Sequence, residues 1–290
     1  MTEQLATAYD VERGRLVRVA YAILGSTAEA EDVVAECWLR LVAADERDPV
    51  RDVGAWATVT VARAALDTLR SARVRRESYV GPWLPEPRVE RAPTDPADRA
   101  SLDDSVRYAL LVALEQLTPA ERTAWVLHDI FELPFADVAD AVGRSPEAVR
   151  QLARRARQHV VAGTPRVRVD ASTHDRVVSA FLVAAAGGDL AGLVTLLDPS
   201  VVLTSDGGGV VNAARRPVLG PDKVARFMAG IARKDGEVEL VEVNGRTGVA
   251  FRTEGRLHSV VSFTVDGAQI TRIDIVLAPD KLRGVPSATP

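Results

Sequence analysis

A proline-rich segment divides this chain and constrains its fold more than any other feature. Residues 77–100 contain five prolines, namely Pro82, Pro85, Pro87, Pro93 and Pro96. Proline fixes φ and lacks a backbone N–H, so the segment is neither an ordinary helix nor a central strand. We therefore expect a linker of extended character between folded domains. Trp83 and Leu84 stand side by side within it; either they pack locally or they enter a surface of a neighbouring domain.

Length and composition limit the classes of function. The 290 residues, 47% of them hydrophobic, are enough for two or three domains. No apolar run approaches the roughly 20 residues that a membrane helix needs, and the charged N-terminus does not resemble a signal peptide. The one cysteine, Cys37, excludes an internal disulfide and any multi-cysteine metal site. We expect a cytoplasmic protein without membrane association, cofactor or metal.

Charge is distributed unevenly along the chain, although the net charge is only −4. Residues 29–36 contain four carboxylates and no basic residue. Residues 63–76 and 144–157 each contain five arginines and one acid, a net charge of +4 in each segment. One acidic and two basic patches indicate two kinds of partner, although solvated helix faces would also account for them.

Residues 5–76 show helical periodicity throughout. Ser26 and Glu29 have the spacing of a capping box at the start of one helix. Its apolar face comprises Val33, Val34, Cys37, Trp38 and Leu41, and its opposite face carries Glu29, Asp32, Glu36 and Arg40. A further helix begins near Val53, with an apolar first half that predicts packing in a bundle and a basic second half.

Residues 102–162 are helical again and contain the pattern of a helix-turn-helix. Thr118, Pro119 and Glu121 predict a capped helix start. A short helix over residues 135–142 ends at Gly143, and Ser145 with Pro146 begins the next helix. Two helices joined by a tight turn that contains glycine are typical of this DNA-binding motif.

The second helix of this motif has one buried and one exposed face. The predicted buried stripe comprises Val149, Leu152, Ala153, Ala156 and Val160, so that Glu147, Arg150, Gln151 and Arg154 point away from it. Arginine and glutamine at such positions read base edges in the major groove. Arg144, Arg155 and Arg157 are better placed for phosphates. A helical hairpin with a solvated arginine face is the alternative.

Residues 172–282 change character and predict an α+β domain. Two amphipathic helices come first, followed by a strand, a glycine run at Gly207–Gly209 and a third helix. Four β-type segments follow, and Asp266–Gly267 is a hairpin turn signal. This order predicts helices packed against an antiparallel sheet.

The order of these motifs resembles that of the extracytoplasmic-function sigma factors of bacterial RNA polymerase. The polymerase-binding helix of region two resembles AEDVVAECWLRL, and the helix that reads the −10 element resembles GAWATVTVARAALDTLRSARVRRE. Region four, which reads the −35 element, resembles residues 114–160. The resemblance covers residues 5–162 and implies a promoter-specificity subunit.

This resemblance implies partners and site residues. The partners would be promoter DNA and the RNA polymerase core, through its beta-prime clamp helices and beta flap. Polymerase binding would involve Glu29, Asp32, Glu36 and Arg40; the −10 DNA would meet Arg51, Asp52, Arg63, Asp67, Arg70 and Arg73; and the −35 DNA would meet Arg144, Ser145, Glu147, Arg150, Gln151, Arg154 and Arg155. The 45–54 loop would hold a flipped base, which is less costly when that base is already single-stranded.

Residues 170–282 resemble a SnoaL-like domain, which one SigJ-like subgroup of these sigma factors carries at its C-terminus. That subgroup has WLPEP, DGGGK and NPDKL motifs. Here the first is complete, Val210 replaces the lysine of the second, and Ala278 replaces the asparagine of the third. The lost lysine puts the salt bridge expected from that loop in doubt. The implied interdomain regulatory residues are Trp83, Leu84, Pro85, Glu86, Pro87, Asp206, Gly207, Gly208, Gly209, Asp280, Lys281 and Leu282.

The predicted organisation therefore has five segments. They are a region-two bundle at 1–76, a linker at 77–101, a region-four helix-turn-helix at 102–163, a cone-shaped α+β SnoaL-like barrel at 170–283, and a tail at 284–290. We expect a monomer when free, regulated in cis by the C-terminal domain, with no catalytic residues.

Two other functions stay open at this point. One is a ligand-gated, stand-alone DNA-binding regulator, with a small ligand in the cone. The other is a SnoaL-like isomerase or cyclase fused to a DNA-binding segment, with Asp206, His258 and Asp274 facing a cavity for proton transfer.

Overall fold

The computed structural model describes residues 2–76, 79–91, 107–163, 169–232 and 236–286. The chain forms two compact units. The first comprises Met1–Ser78 and Ala113–Ala162, and the second comprises Tyr79–Val112 and Gly163–Pro290. The described linker residues thus belong to the second unit, while the predicted segment boundaries remain predictions. No helix among the described residues has the length and apolarity needed to span a membrane.

The first unit is entirely helical. Its helices are α1 (Thr2–Leu24), α2 (Thr27–Asp45), α3 (Val53–Arg76), α5 (Pro119–Trp125), α6 (Phe135–Val142) and α7 (Pro146–Gly163), and a π-helical turn (Val126–Ile130) follows α5. Leucine side chains at 16, 24, 41 and 66 fill the core among α1, α2 and α3. Helix α3 also packs against α5 and α6, so the two predicted DNA-reading segments lie in one body.

A buried arginine ties the first unit together. Arg122 on α5 is only 1% exposed. Its Nε donates to the carbonyl oxygen of Ala22 at 3.2 Å, and its Nη1 donates to the carboxylate of Glu115. The hydrogen bond to Ala22 holds α5 in register with α1. Removal of either partner of the buried ion pair with Glu115 would leave an uncompensated charge.

The helix-turn-helix has the turn chemistry that the sequence predicts. Helix α6 ends at Gly143, whose φ of 71° is the left-handed conformation that favours glycine. The Ser145 hydroxyl then accepts from the backbone N–H of Ala148 at 3.3 Å and caps α7. At the start of α5 the predicted capping box of Thr118 and Glu121 is present as well.

The second unit combines helices with one mixed sheet, whereas the sequence predicted an antiparallel one. Its helices are α8 (Ala171–Ala186), α9 (Leu190–Leu196) and α10 (Pro221–Ala232), and α4 (Tyr108–Leu114) begins in this unit. The strands are β1 (Val89–Arg91), β2 (Leu197–Asp206), β3 (Val218–Leu219), β4 (Glu237–Val243), β5 (Arg246–Thr253), β6 (Arg256–Asp266) and β7 (Gln269–Val276). They are ordered β1-β4-β5-β6-β7-β2-β3, and among the described strands only β2 and β7 pair in parallel.

One face of the sheet forms the apolar core with the three helices. Phe181 on α8 meets Phe263 on β6 with ring centroids 5.7 Å apart, and Ile273 and Ile275 lie in the same core. Because strand side chains alternate, Asp274 lies on the opposite face. The predicted hairpin at Asp266 is present, since this residue pairs with Gln269 across a two-residue turn. The sequence did not predict β1 inside the linker, nor the short β3.

Candidate functional sites

A buried polar cluster in the second unit surrounds Asp206, which is 0% exposed at the end of β2. Its Oδ1 accepts from the Tyr79 hydroxyl at 2.5 Å and from the Gly208 N–H at 2.9 Å. Its Oδ2 accepts from the Leu84 N–H at 2.8 Å and from Lys281 Nζ at 2.6 Å. Four donors saturate this carboxylate, and two of them come from the linker.

Lys281, in the segment after β7 (residues 277–286, called the tail from here on), completes the cluster and is 5% exposed. Its Nζ also donates to the carbonyl oxygen of Leu84 at 2.6 Å and lies 3.1 Å from the centroid of the Trp83 ring. Tyr79 packs edge-on against Trp83. Burial, followed by the hydrogen bond with Asp206, raises the pKa of Tyr79 well above its usual value. We name these five residues, Tyr79, Trp83, Leu84, Asp206 and Lys281, the linker clasp.

The glycine run next to Asp206 permits this close packing. A Cβ at Gly207 would lie 2.2 Å from the carbonyl oxygen of Val211, and Gly208 adopts a φ of 69°. Val210, which occupies the position of the missing lysine, is 82% exposed. The buried salt bridge of Asp206 is therefore made by Lys281 on the tail, and the loop needs no lysine for it.

Beyond the clasp, residues 82–88 form neither helix nor strand, and the linker then joins the edge of the sheet as β1. Val89 then pairs with Val243 as an antiparallel edge strand, and Arg88 N–H donates to Asn244 Oδ1 at 3.0 Å.

The other predicted interdomain residues line this path or the tail. Pro85 and Pro87 are buried, and the carbonyl oxygen of Pro85 accepts from the Tyr108 hydroxyl at 2.8 Å. Glu86 is half-buried, Leu282 is buried, and Asp280 is exposed beside the clasp. The tail is held a second time, because Arg252 Nη2 donates to the carbonyl oxygen of Pro286 at 2.6 Å.

Helix α2 presents an exposed acidic face in the first unit. Asp32, Glu36 and Arg40 are exposed, Glu36 pairs with Arg40 at 2.7 Å, and Glu29 is half-buried in the first turn. Leu39 lies on the same exposed surface and is 68% exposed. On the opposite side of the helix, burial raises the pKa of Cys37 to about 11, which leaves its thiol protonated.

The predicted −10 residues on α3 and in the loop before it have several different environments. Arg51 and Asp52 are exposed, and Asp52 Oδ1 accepts from the Ala55 N–H at 2.9 Å, which caps the helix. Arg63 Nη2 donates to the carbonyl oxygen of Asp140 on α6 at 2.7 Å. Asp67 pairs with Arg70 at 3.0 Å. The side chain of Arg73 lies outside the described residues.

The arginines of α7 differ in whether they pair with an acidic residue. Arg155 Nε lies 3.3 Å from Glu121, and Arg157 pairs with Asp129, so both are tied to α5 and the π-helical turn. Arg150 pairs with Glu147 at 3.3 Å. Within the described part of the chain, Arg144 and Arg154 make no salt bridge, and both are exposed together with Gln151 and Ser145.

Comparison with known proteins identifies the chain. Residues 8–75 match the model of Sigma-70 region 2, and residues 107–160 match that of Sigma-70 region 4. Over 295 residues the chain is 40% identical to the ECF RNA polymerase sigma factor SigJ of Mycobacterium tuberculosis, covering 96% of this chain and 93% of that protein. The chain belongs to the extracytoplasmic-function sigma factors.

Two further comparisons cover the whole sigma factor. It is 34% identical to the probable ECF RNA polymerase sigma factor SigI of Mycobacterium tuberculosis over 284 residues, which is 97% of this chain and 95% of that one. The crystal structure of the SigJ protein from the same organism superposes with a TM-score of 0.78 at 36% identity and covers 98% of this chain and 100% of that chain. The recognised family and the predicted fold, helical sigma domains followed by a sheet-containing α+β domain, are thereby confirmed.

The sigma factor directs promoter-specific transcription initiation, and RNA polymerase and promoter DNA are its partners. Its relatives indicate a non-enzymatic regulator. The three residues considered for proton transfer are not brought together in the sheet's apolar core. His258 is exposed, Asp206 is held in the linker clasp, and Asp274 is bound by Arg272 Nε at 2.8 and 2.9 Å. Burial raises the pKa of Asp274.

Sequence reasoning missed three residues of these sites. Tyr79 precedes the WLPEP motif, and only its contact with Asp206 reveals it. Leu39 breaks the helical alternation by placing a large apolar side chain on the charged face of α2, a signal that was visible in the sequence. Phe135 lies at the start of α6, where its ring stacks with His128 at 3.8 Å.

Proposed function

We propose that this sigma factor is regulated in cis by its C-terminal unit, which holds the linker between regions two and four through the linker clasp. The observation that carries the proposal is the saturated Asp206 carboxylate, whose donors come from the linker, the glycine loop and the tail. A buried charge with all of its partners present favours one arrangement strongly over any loosened one.

The proposal assigns the three surfaces of the first unit to distinct steps. The acidic face of α2, with Asp32, Glu36 and the apolar Leu39, binds a basic surface of the polymerase core, for which the clamp helices are the candidate. Helix α3 and the 45–54 loop then meet the −10 DNA. Helix α7 meets the −35 DNA through its exposed residues.

Two arginines of α7 are paired with acidic residues, and this pairing narrows the set of residues that contact the −35 DNA. Arg155 and Arg157 are held by Glu121 and Asp129, which are largely buried. We assign both to the support of α7 against α5 and the π-helical turn. Phosphate contacts then fall to Arg144 and Arg154, which are exposed.

Release of the clasp should free the linker and raise transcription. Trp83→Ala removes the half-buried ring under Lys281, and loss of such an aromatic contact costs about 2 kcal/mol. Because the clasp restrains the chain between the two DNA readers, we expect output from a cognate promoter to rise at least about fivefold at limiting core polymerase. The measurement is in vitro transcription with the full chain and purified core enzyme.

The matched control is Val80→Ala, an exposed linker side chain three residues away. It should leave the output unchanged. Equal transcription by wild type and Trp83→Ala, with both chains folded, would remove the regulatory role of the clasp and leave the sigma activity itself intact.

The first unit also supports a closed resting form. Helix α3 packs on α6, and Arg63 donates to the carbonyl oxygen of Asp140. On B-DNA the −10 and −35 elements are separated by about 25 base pairs, or about 85 Å. Two helices in contact have axes about 10 Å apart, and α7 follows α6 in the same helix-turn-helix, so α3 and α7 cannot both reach their elements while α3 and α6 stay packed. Promoter binding therefore requires α3 and α6 to separate.

A pair of spin labels tests this opening. Ser71 on α3 and Asp140 on α6 are exposed, and the native Cys37 is buried, so Ser71→Cys and Asp140→Cys accept labels selectively. We expect one short distance in the free chain and an increase of several tens of ångströms when core polymerase and promoter DNA are added. An unchanged short distance in the transcribing complex would contradict the closed form.

A further inference from the structure

Three side chains from separate elements form a stack beside the recognition helix. The ring of Phe135, at the start of α6, lies against His128 of the π-helical turn, with centroids 3.8 Å apart and planes inclined by 29°. His128 Nδ1 donates to the carbonyl oxygen of Leu133 at 2.9 Å, which fixes the imidazole plane. The guanidinium carbon of Arg150 lies 5.4 Å from the centroid of the Phe135 ring.

Arg150 is thereby held on two sides. Besides the aromatic ring, its Nη1 donates to Glu147 Oε1 at 3.3 Å on the preceding turn of α7. About half of its side chain stays exposed. An arginine over an aromatic ring keeps its N–H groups directed outward in the guanidinium plane, where they can meet both acceptors of a guanine edge.

The neighbouring residues of α7 have no comparable support among the described contacts. Gln151 and Arg154 are exposed, and none of the described rings or carboxylates is recorded against either side chain. An arginine side chain that is ordered before binding loses less rotamer entropy when it meets a base. Of the three predicted base readers, Arg150, Gln151 and Arg154, Arg150 is therefore the one that described contacts orient in advance.

We propose that Phe135, stacked on His128, is a positioning residue that sets Arg150 for base readout in the upstream promoter element. This inference rests on the proposed role of α7 as the −35 reader and deepens it. Phe135 itself contacts no base; it acts through Arg150. The specificity carried by α7 then depends on a side chain of α6, the first helix of the motif.

The expected effects follow from two contacts, that of Arg150 with a base and that of the Phe135 ring with Arg150. Arg150→Ala should remove the preference for one base at one promoter position, lowering discrimination there by about 5- to 100-fold. Phe135→Leu keeps an apolar side chain but removes the aromatic face, so it should lower discrimination at that same position by about two- to fivefold. Phe135→Tyr retains the face and should restore the preference.

The experiment is in vitro transcription by the full chain with core polymerase on a promoter library whose upstream element is randomised. Sequencing of the transcripts gives the base preference at each position. In the Arg150→Ala background, Phe135→Leu should cause no further loss, because the residue through which it acts is gone. Thermal unfolding of each variant establishes that α6 and α7 are still folded.

The outcomes separate this inference from the function on which it rests. If wild type shows no upstream preference, α7 does not read bases and both fail. If Arg150→Ala leaves every position unchanged, this inference fails while α7 can still read bases through Gln151 or Arg154. If Arg150→Ala erases one preference but folded Phe135→Leu leaves it intact, or weakens all positions evenly, only the positioning role is overturned.

Discussion

Replacing Lys281 with methionine should speed hydrogen exchange of the Leu84 amide by about two orders of magnitude, because the clasp would lose its only cation. Loss of one partner of a buried ion pair costs about 3–5 kcal/mol. Here we expect the lower end, about 3 kcal/mol, since Tyr79, Leu84 and Gly208 still donate to Asp206. The Leu84 N–H is the direct reporter, because it is bonded to that carboxylate.

The matched control is Lys223→Met, which removes an exposed lysine of α10 and should leave the Leu84 amide protected. Asp206→Asn combined with Lys281→Met removes both charges, so it should exchange more slowly than Lys281→Met alone. Leu84 exchange that is equal in wild type and Lys281→Met would show that the clasp does not hold the linker.

The clasp explains how a short motif in a linker can depend on two distant segments. Asp206 and Lys281 are 75 residues apart, and Tyr79 and Asp206 are 127 apart. Four of the hydrogen bonds share the Asp206 carboxylate, and Lys281 connects that carboxylate to the Trp83 ring. Loss of any partner weakens the others, so the linker is expected to be held or released as a unit.

Local signals carried the predictions that proved correct. The turn at Gly143 and the cap at Ser145 need only a few consecutive residues, as does the hairpin at Asp266. Such features depend on sterics and hydrogen bonds within one or two turns, so the residues of a short segment are enough to predict them.

What the sequence could not predict depends on long-range pairing. Helical periodicity correctly places Arg155 on an exposed face of α7, but its partner Glu121 lies on another helix. Strand β1 follows Pro87 in a segment whose composition indicates a linker, and it forms because β4 offers a free edge. The lysine missing at position 210 put a salt bridge of the glycine loop in doubt; the Asp206 carboxylate beside that loop is paired with Lys281 instead.

Charge reversal on α2 has the second large expected effect. Asp32→Lys with Glu36→Lys places two cations where the proposed polymerase surface is itself basic. Like charges facing each other across an interface cost several kcal/mol, so the affinity for core polymerase should fall by at least about 100-fold. Both side chains are exposed, so the fold of the first unit should be unaffected. The measurement is a titration of labelled sigma factor with purified core enzyme.

The control variant must change the net charge by the same amount on a different surface of the first unit. Glu3→Lys with Asp10→Lys does so on α1, where both acids are exposed. This variant should bind core polymerase nearly as well as wild type, since general attraction between distant charges is screened within about 10 Å at 0.1 M salt. Equal losses in the two double variants would indicate a general charge effect, and full binding by Asp32→Lys with Glu36→Lys would exclude this face of α2 as the polymerase contact.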